Sequence, residues 1–145
     1  MCRRTHRPFH PTTVLVIFED RPARGLLALL RRGFRHCFCL LRGESGWLLC
    51  DPQADRLELR ALPPLSAVAL ARAYARLGGT VVALAATPPG RRTARLRLAP
   101  LTCVEVVKRA IGYERRGVVT PFGLFRALSA RSEVVFLAEP DRQGR

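Results

Sequence analysis

The stretch FRHCFCLLRGESGWLLCDP, Phe34 to Pro52, decides the architecture. Phe34 to Leu41 is aromatic and apolar around one histidine, the composition of a strand. Gly43 to Gly46 then supplies a hairpin-type turn, and Trp47 to Cys50 brings the chain back. Asp51-Pro52 closes the returning strand, because a proline drives the residue before it out of the helical region. Alternate side chains of a strand face opposite ways. His36, Phe38 and Leu40 therefore share one face, and Cys37 and Cys39 share the other.

Outward from this hairpin the chain reads as alternating short elements. On the N-terminal side, Thr13 to Phe18 is β-branched and apolar, a buried strand. Arg21 to Gly25 is a turn, and Leu26 to Arg32 is a short helix that Gly33 ends. On the C-terminal side, Leu57 to Leu62 alternates as a strand. Pro63-Pro64 opens a helix through Leu77, with Arg72 and Arg76 on one face and Leu65, Val68, Ala69 and Ala73 on much of the opposite one. Gly78-Gly79 ends it. Thr80 to Ala86 is an apolar strand, Pro88 to Arg92 a basic turn, and Ala94 to Leu98 a half-exposed strand. Helices follow over Cys103 to Ile111 and Pro121 to Ala130, then a last strand from Val134 to Leu137. Such an order predicts an α+β domain with antiparallel neighbours over residues 13–138, preceded by a basic arm at 1–12 and followed by a polar tail at 139–145.

Composition fits one domain: 145 residues, 48% hydrophobic and 25% charged, are enough to bury a core without a disulfide or metal staple. The net charge is +14, from 25 Lys+Arg against 11 Asp+Glu. Such a surplus favours anionic partners, yet Lys108 is the single lysine, and a phosphate contact accepts either cation. Near-exclusive use of arginine beside abundant Ala, Gly, Pro and Leu matches the codon bias of a GC-rich genome. A weak, non-specific attraction to nucleic acid is the expected consequence. No apolar run reaches the roughly 20 residues of a membrane span. Val14 to Phe18 is too short for the apolar region of a signal peptide, so five reduced cysteines in a cytoplasm-like compartment are expected.

The stretch most suggestive of chemistry is Leu101-Thr102-Cys103-Val104-Glu105. Thr followed three residues later by Glu is a capping box: Thr102 caps the helix and Glu105 reaches back to the cap's amide. Cys103 then opens the helix, where the dipole and unpaired amides favour a thiolate and can hold an oxyanion. The same cysteine also fits as a small apolar residue beside Val106 and Val107. Of the three histidines, two lie in the N-terminal arm and His36 sits at the start of a strand, a rigid mount for a base. Asp51 is the best-placed carboxylate to orient that imidazole, ahead of Glu44 and Asp55. Trp47 reads as core. Cys37, Cys39 and Cys50 lack zinc-type spacing and no phosphate-binding glycine loop is present, so neither metal nor cofactor is expected.

The residues Phe34-Arg35-His36-Cys37-Phe38, then Trp47 to Pro52, then Thr102-Cys103-Val104-Glu105-Val106-Val107-Lys108-Arg109 resemble papain-like cysteine hydrolases of the NlpC type in circularly permuted order. Histidine precedes cysteine in permuted members. Thr120-Pro121 opening a helix is similar to small phage and prophage proteins of GC-rich bacteria. The resemblance implies a papain-like antiparallel sheet packed against a nucleophile-bearing helix, with Cys103 as nucleophile, His36 as base and Asp51 as orienting residue. It also implies a peptide, cell-wall or acyl substrate, and a bacterial cytoplasm or a phage virion as the setting. Two other readings stand beside it. One is a catalytically inactive domain of this fold serving in phage structure or assembly. The other is a nucleic-acid-binding protein using Arg91, Arg92, Arg95 and Arg97, although no aromatic residues interleave them.

Overall fold

A computed structural model describes residues 13–22, 24–85, 102–131 and 134–140. Its elements in chain order are β1 (Thr13–Glu19), β2 (His36–Gly43), β3 (Gly46–Pro52), β4 (Leu57–Leu62), α1 (Ala67–Arg76), β5 (Thr80–Ala85), α2 (Cys103–Ile111), α3 (Pro121–Ser129) and β6 (Val134–Ala138). The strands form one six-stranded sheet in the order β4-β3-β2-β1-β5-β6. Every neighbouring pair is antiparallel. The architecture is therefore α+β, as the alternation of short elements predicts. The basic arm, the Pro88 to Arg92 turn, the Ala94 to Leu98 strand with its arginines, and residues 141–145 of the tail lie outside the described residues.

Helices cover both faces of the sheet, which explains why its middle strands read as unbroken apolar runs. On one face α2 and α3 pack Val104, Val107, Leu124 and Leu128 against Val14, Val16, Phe18, Cys37, Cys39, Cys50 and Val82. On the other, α1 packs Leu70 and Ala71 against Leu15, Ile17, Phe38, Leu40, Trp47 and Val81. β1 is buried from Val14 to Phe18 because it lies between β2 and β5 beneath both layers. Each fully buried Val, Leu or Ile contributes about 1.5–3 kcal/mol. The edge strand β4 instead leaves Leu57 and Leu59 exposed and pairs Arg60 with Glu58, a charged pair that discourages further strand addition.

Four local expectations need correction. The helix expected from Pro63 starts at Ala67, and Ser66 caps it by accepting from the Ala69 amide at 3.1 Å. Pro64 keeps Pro63 out of the helical region, and the Leu65 carbonyl is held by the Trp47 indole N–H at 2.8 Å, so the chain stays extended up to the serine. The buried face differs as well. Its buried side chains are Leu70, Ala71 and Ala75, with Ala67 and Tyr74 packed beside them, while Leu65, Val68, Ala69 and Ala73 are exposed. The helix expected at Leu26 to Arg32 is a 3₁₀ turn over Gly25–Leu29 that buries none of its residues, and Gly33 turns the chain at φ +80°. Without a buried face, tertiary packing gives such a segment little reason to lengthen. The first hairpin strand begins at His36 rather than Phe34, since Phe34 turns into a ring cluster with Phe18, Phe122 and Phe125. Finally, β3 continues through Asp51 and Pro52, which face Glu58 and Leu57 of β4.

Candidate active site

Two elements meet to make the site, and each has a sequence reason to end where it does. α2 begins at Cys103 because Thr102 caps it, its hydroxyl accepting the Glu105 amide at 3.3 Å. The expected return bond of the box is replaced: the Glu105 carboxylate takes Lys108 Nζ at 2.5 Å. Lys108 is buried and also donates to the Val118 carbonyl at 3.3 Å, tying α2 to the segment before α3. Gly112 closes the helix in the left-handed region, φ +70°. The Val106 amide bonds the Thr102 carbonyl, so the helix starts cleanly and the amides of Cys103 and Val104 have no acceptor within it.

β2 begins at His36. Its ring lies 6.2 Å from that of Phe38 on the same face of the strand, whereas Cys37 and Cys39 pack beneath α2, as alternation predicts. Because His36 opens its strand and Cys103 opens its helix, imidazole and thiol meet at the end of the sheet and not through it. Cys103 lies near enough to the His36 ring and to Cys37 for both to act on the ionisation of its thiol. Cys103 is half-buried, while Cys37 is fully buried.

Asp51 completes the line. Cys39 faces Cys50 across the hairpin, so the next residue, Asp51, projects from the His36 face. Its Oδ1 lies 2.7 Å from His36 Nε2. The other oxygen, Oδ2, accepts Arg21 Nη2 at 2.7 Å and Gln53 Nε2 at 2.7 Å, and Arg21 Nη1 donates to Gln53 Oε1 at 3.2 Å. Arg21 is held in turn by Glu19. With Nε2 engaged by Asp51, Nδ1 is the ring nitrogen left for the Cys103 sulfur.

The electrostatics follow from these contacts. For Cys103, the Cys37 side-chain hydrogen bond favours the thiolate and burial opposes it. The His36 hydrogen bond and the Cys37 amide then carry its pKa down to about 4. For His36, burial disfavours the imidazolium, but the hydrogen bonds to Asp51 and Cys103 outweigh burial and raise the pKa to about 9. Burial of Asp51 is likewise outweighed by His36 and Arg21, which hold its carboxyl below the usual range. Cys37 is the reverse case: the Cys103 hydrogen bond and burial both keep it a thiol. These shifts all act in the direction of a thiolate–imidazolium pair backed by a carboxylate near neutral pH.

The three residues singled out in the sequence thus come together. Glu44 is an exposed hairpin-turn residue, and Asp55 is exposed beside Arg56, so neither reaches His36. Trp47 is buried in the α1-side core. Sequence reasoning missed Arg21, Gln53 and Cys37. Arg21 is thirty residues from its carboxylate and carries no local signal, but Gln53 follows Asp51 by two, just past the end of β3, and Cys37 lies on the face that α2 had to cover. Among the described residues no group of three or more His, Cys, Asp and Glu is arranged to hold a metal ion, and no helix is long and apolar enough to cross a membrane. Comparison of the chain with protein-family models, with curated proteins and with solved structures finds no match.

Proposed function

We propose that this protein is a thiol hydrolase, a peptidase or amidase with a permuted papain-like arrangement of the NlpC type, in which Cys103 attacks an amide or ester carbonyl. The observation that carries this reading is the buried His36–Asp51 pair, 2.7 Å apart, with Cys103 near enough for its ionisation to be coupled to His36, assembled from a helix start and two strands that lie far apart in sequence. A half-buried cysteine in a purely structural role gains nothing from a buried His–Asp pair aimed at it.

In this reading the resting site already holds the charges it needs. The Cys103 thiolate adds to the carbonyl carbon, and the electron pair moves onto the carbonyl oxygen. The amides of Cys103 and Val104 at the start of α2 stabilise that oxyanion, aided by the helix dipole. Collapse of the tetrahedral intermediate expels the amine or alcohol, which takes a proton from His36 and leaves an acyl thioester on Cys103. Neutral His36 then removes a proton from water, and hydroxide attack on the thioester releases the acid and restores the pair. Asp51 acts through His36: it fixes the ring orientation and stabilises the imidazolium. Arg21 and Gln53 are positioning residues for Asp51.

A short-chain activated ester tests this without knowledge of the natural substrate. Rapid mixing followed by acid quench and peptide mass spectrometry is expected to find an acyl adduct on Cys103 that decays on turnover. Cys103→Ala abolishes it, and His36→Ala slows both its formation and its decay. Acylation spread over several cysteines, or a Cys103 adduct formed equally fast without His36, would reject the hydrolase and favour an inactive scaffold.

A further inference from the structure

The segment Arg24-Gly25-Leu26-Leu27-Ala28-Leu29-Leu30-Arg31-Arg32 lies between β1 and β2 and has no role in the proposed chemistry. Its 3₁₀ turn, Gly25–Leu29, buries none of its residues. Leu26 is 84% exposed, Leu27 59% and Leu29 83%. Residues three apart in a 3₁₀ turn stand one above the other, so Leu26 and Leu29 form an apolar ridge with Leu27 beside it. Single exposed leucines are ordinary, but a run of them in one turn makes a patch that calls for a partner.

An anchored loop displays this ridge. At its neck the Arg35 amide bonds the Glu19 carbonyl at 3.1 Å, and Arg35 Nη2 donates to the Ala28 carbonyl at 3.4 Å. The Phe34 amide bonds the Arg31 carbonyl at 2.9 Å, and the Arg31 guanidinium lies 4.0 Å from the centre of the Phe122 ring on α3. Charge of one sign flanks the leucines. Between Arg21 and Gly43 the chain holds no carboxylate. The two acids just before, Glu19 and Asp20, are paired with Arg21 and Arg35. Arg24, Arg31 and Arg32, all exposed, remain as positive charge on both sides of the turn.

We propose that this loop docks the protein on an anionic lipid bilayer, with Leu26, Leu27 and Leu29 entering the boundary between headgroups and acyl chains and Arg24, Arg31 and Arg32 taking lipid phosphates. An arginine stem lies along apolar surface while its head stays among the phosphates, so both residue types are served at one depth. A bilayer is the partner that satisfies both features. Nucleic acid would neutralise the arginines but leave the leucines in water. A second copy, packed through a two-fold axis, would cover the leucines but set the same arginines against one another. The mode is interfacial and needs no spanning helix. The neck of the loop also borders the candidate site, because Arg21 holds Asp51 and Arg35 adjoins His36, so docking brings a membrane close to it. The surface does not depend on the hydrolysis proposed for Cys103.

The test is flotation of the full chain with vesicles of phosphatidylcholine, alone or mixed with phosphatidylserine, at low and at high salt. The wild type is expected to float with the mixed vesicles, and less so as salt rises. A charge of +14 attracts anionic vesicles through any basic surface, so the leucines decide. Leu26→Gln with Leu29→Gln leaves every charge in place and should weaken binding about tenfold or more. Leu57→Gln with Leu59→Gln, at exposed positions on β4, should bind as the wild type does. Arg24→Gln with Arg32→Gln should lose most of the preference for phosphatidylserine. All these positions are exposed, and thermal midpoints equal to the wild type check that each variant folds. Unchanged binding in the Leu26 and Leu29 variant, or an equal loss in the Leu57 and Leu59 variant, overturns the inference. So does a wild type that does not float: self-association abolished by the Leu26 and Leu29 variant would then give the face to a second copy, and duplex DNA binding weakened only by the arginine variant would give it to nucleic acid.

Discussion

His36 Nε2 lies 2.7 Å from Asp51 Oδ1, which commits one ring nitrogen to a carboxylate and leaves Nδ1 as the one available to Cys103. That carboxylate is itself fully engaged, since its second oxygen takes Arg21 and Gln53. The imidazole is therefore fixed from behind, through contacts spanning β2, β3 and the turn after β1.

Replacing Asp51 by Asn removes the negative charge behind the ring while keeping its shape. The His36 pKa is expected to fall from about 9 towards the ordinary 6.5, and Cys103 to become less acidic as its partner loses charge. Titration of the His36 ring protons by NMR measures the first effect. Asp51→Ala also deletes buried charged hydrogen bonds and should cost about 2 kcal/mol in urea unfolding.

The pH dependence of stability has a defined sign. Cys103 is lowered from 9.0 to about 4, so its contribution is complete above 9 and is lost as pH falls through 4. His36 is raised from 6.5 to about 9, so its contribution is complete below 6.5 and is lost as pH rises through 9. Between 6.5 and 9 the two slopes oppose and stability should be level; between 6.5 and 4 only the Cys103 slope acts, and stability should fall on acidification. Urea midpoints across this range check the pattern. In Cys103→Ala the decline between 6.5 and 4 should disappear.

Thr102→Ala deletes the hydroxyl that caps α2, at a cost of about 1 kcal/mol, and loosens the turn that carries the nucleophile. Val107→Ala, at a fully buried position on the same helix, should cost about 2–3 kcal/mol. The pair separates stability from function. Val107→Ala is expected to lower the thermal midpoint more, and Thr102→Ala to slow Cys103 alkylation more.

Local chemistry made much of this legible in advance. The hairpin from His36 to Pro52 is bounded by a Gly–Gly turn and a proline, and α2 is announced by Thr102, so both halves of the site could be located from residue type alone. Strand alternation correctly placed Cys37 opposite His36, but it could not say that the end of β2 lets a helix on one face reach a ring on the other. Arg21 was hidden for a similar reason: its partner lies on the third strand, and nothing in Glu19 to Pro22 announces Asp51. The start of α1 was misread because the Leu65 carbonyl is fixed by Trp47, a tertiary contact that outweighs the tolerance of proline for a first helical turn, and its buried face follows the spacing of Ala67, Leu70, Ala71, Tyr74 and Ala75.

The account rests on a thiolate at Cys103 stabilised by His36, and the direct measurement is the rate of iodoacetamide alkylation of the Cys103 peptide between pH 3 and 10. The wild-type rate is expected to rise through an inflection near pH 4 and to stay level through neutrality, with the inflection displaced upward in His36→Ala. A Cys103 that gains reactivity only near its ordinary pKa of 9.0, at the same pH with or without His36, would contradict the central claim.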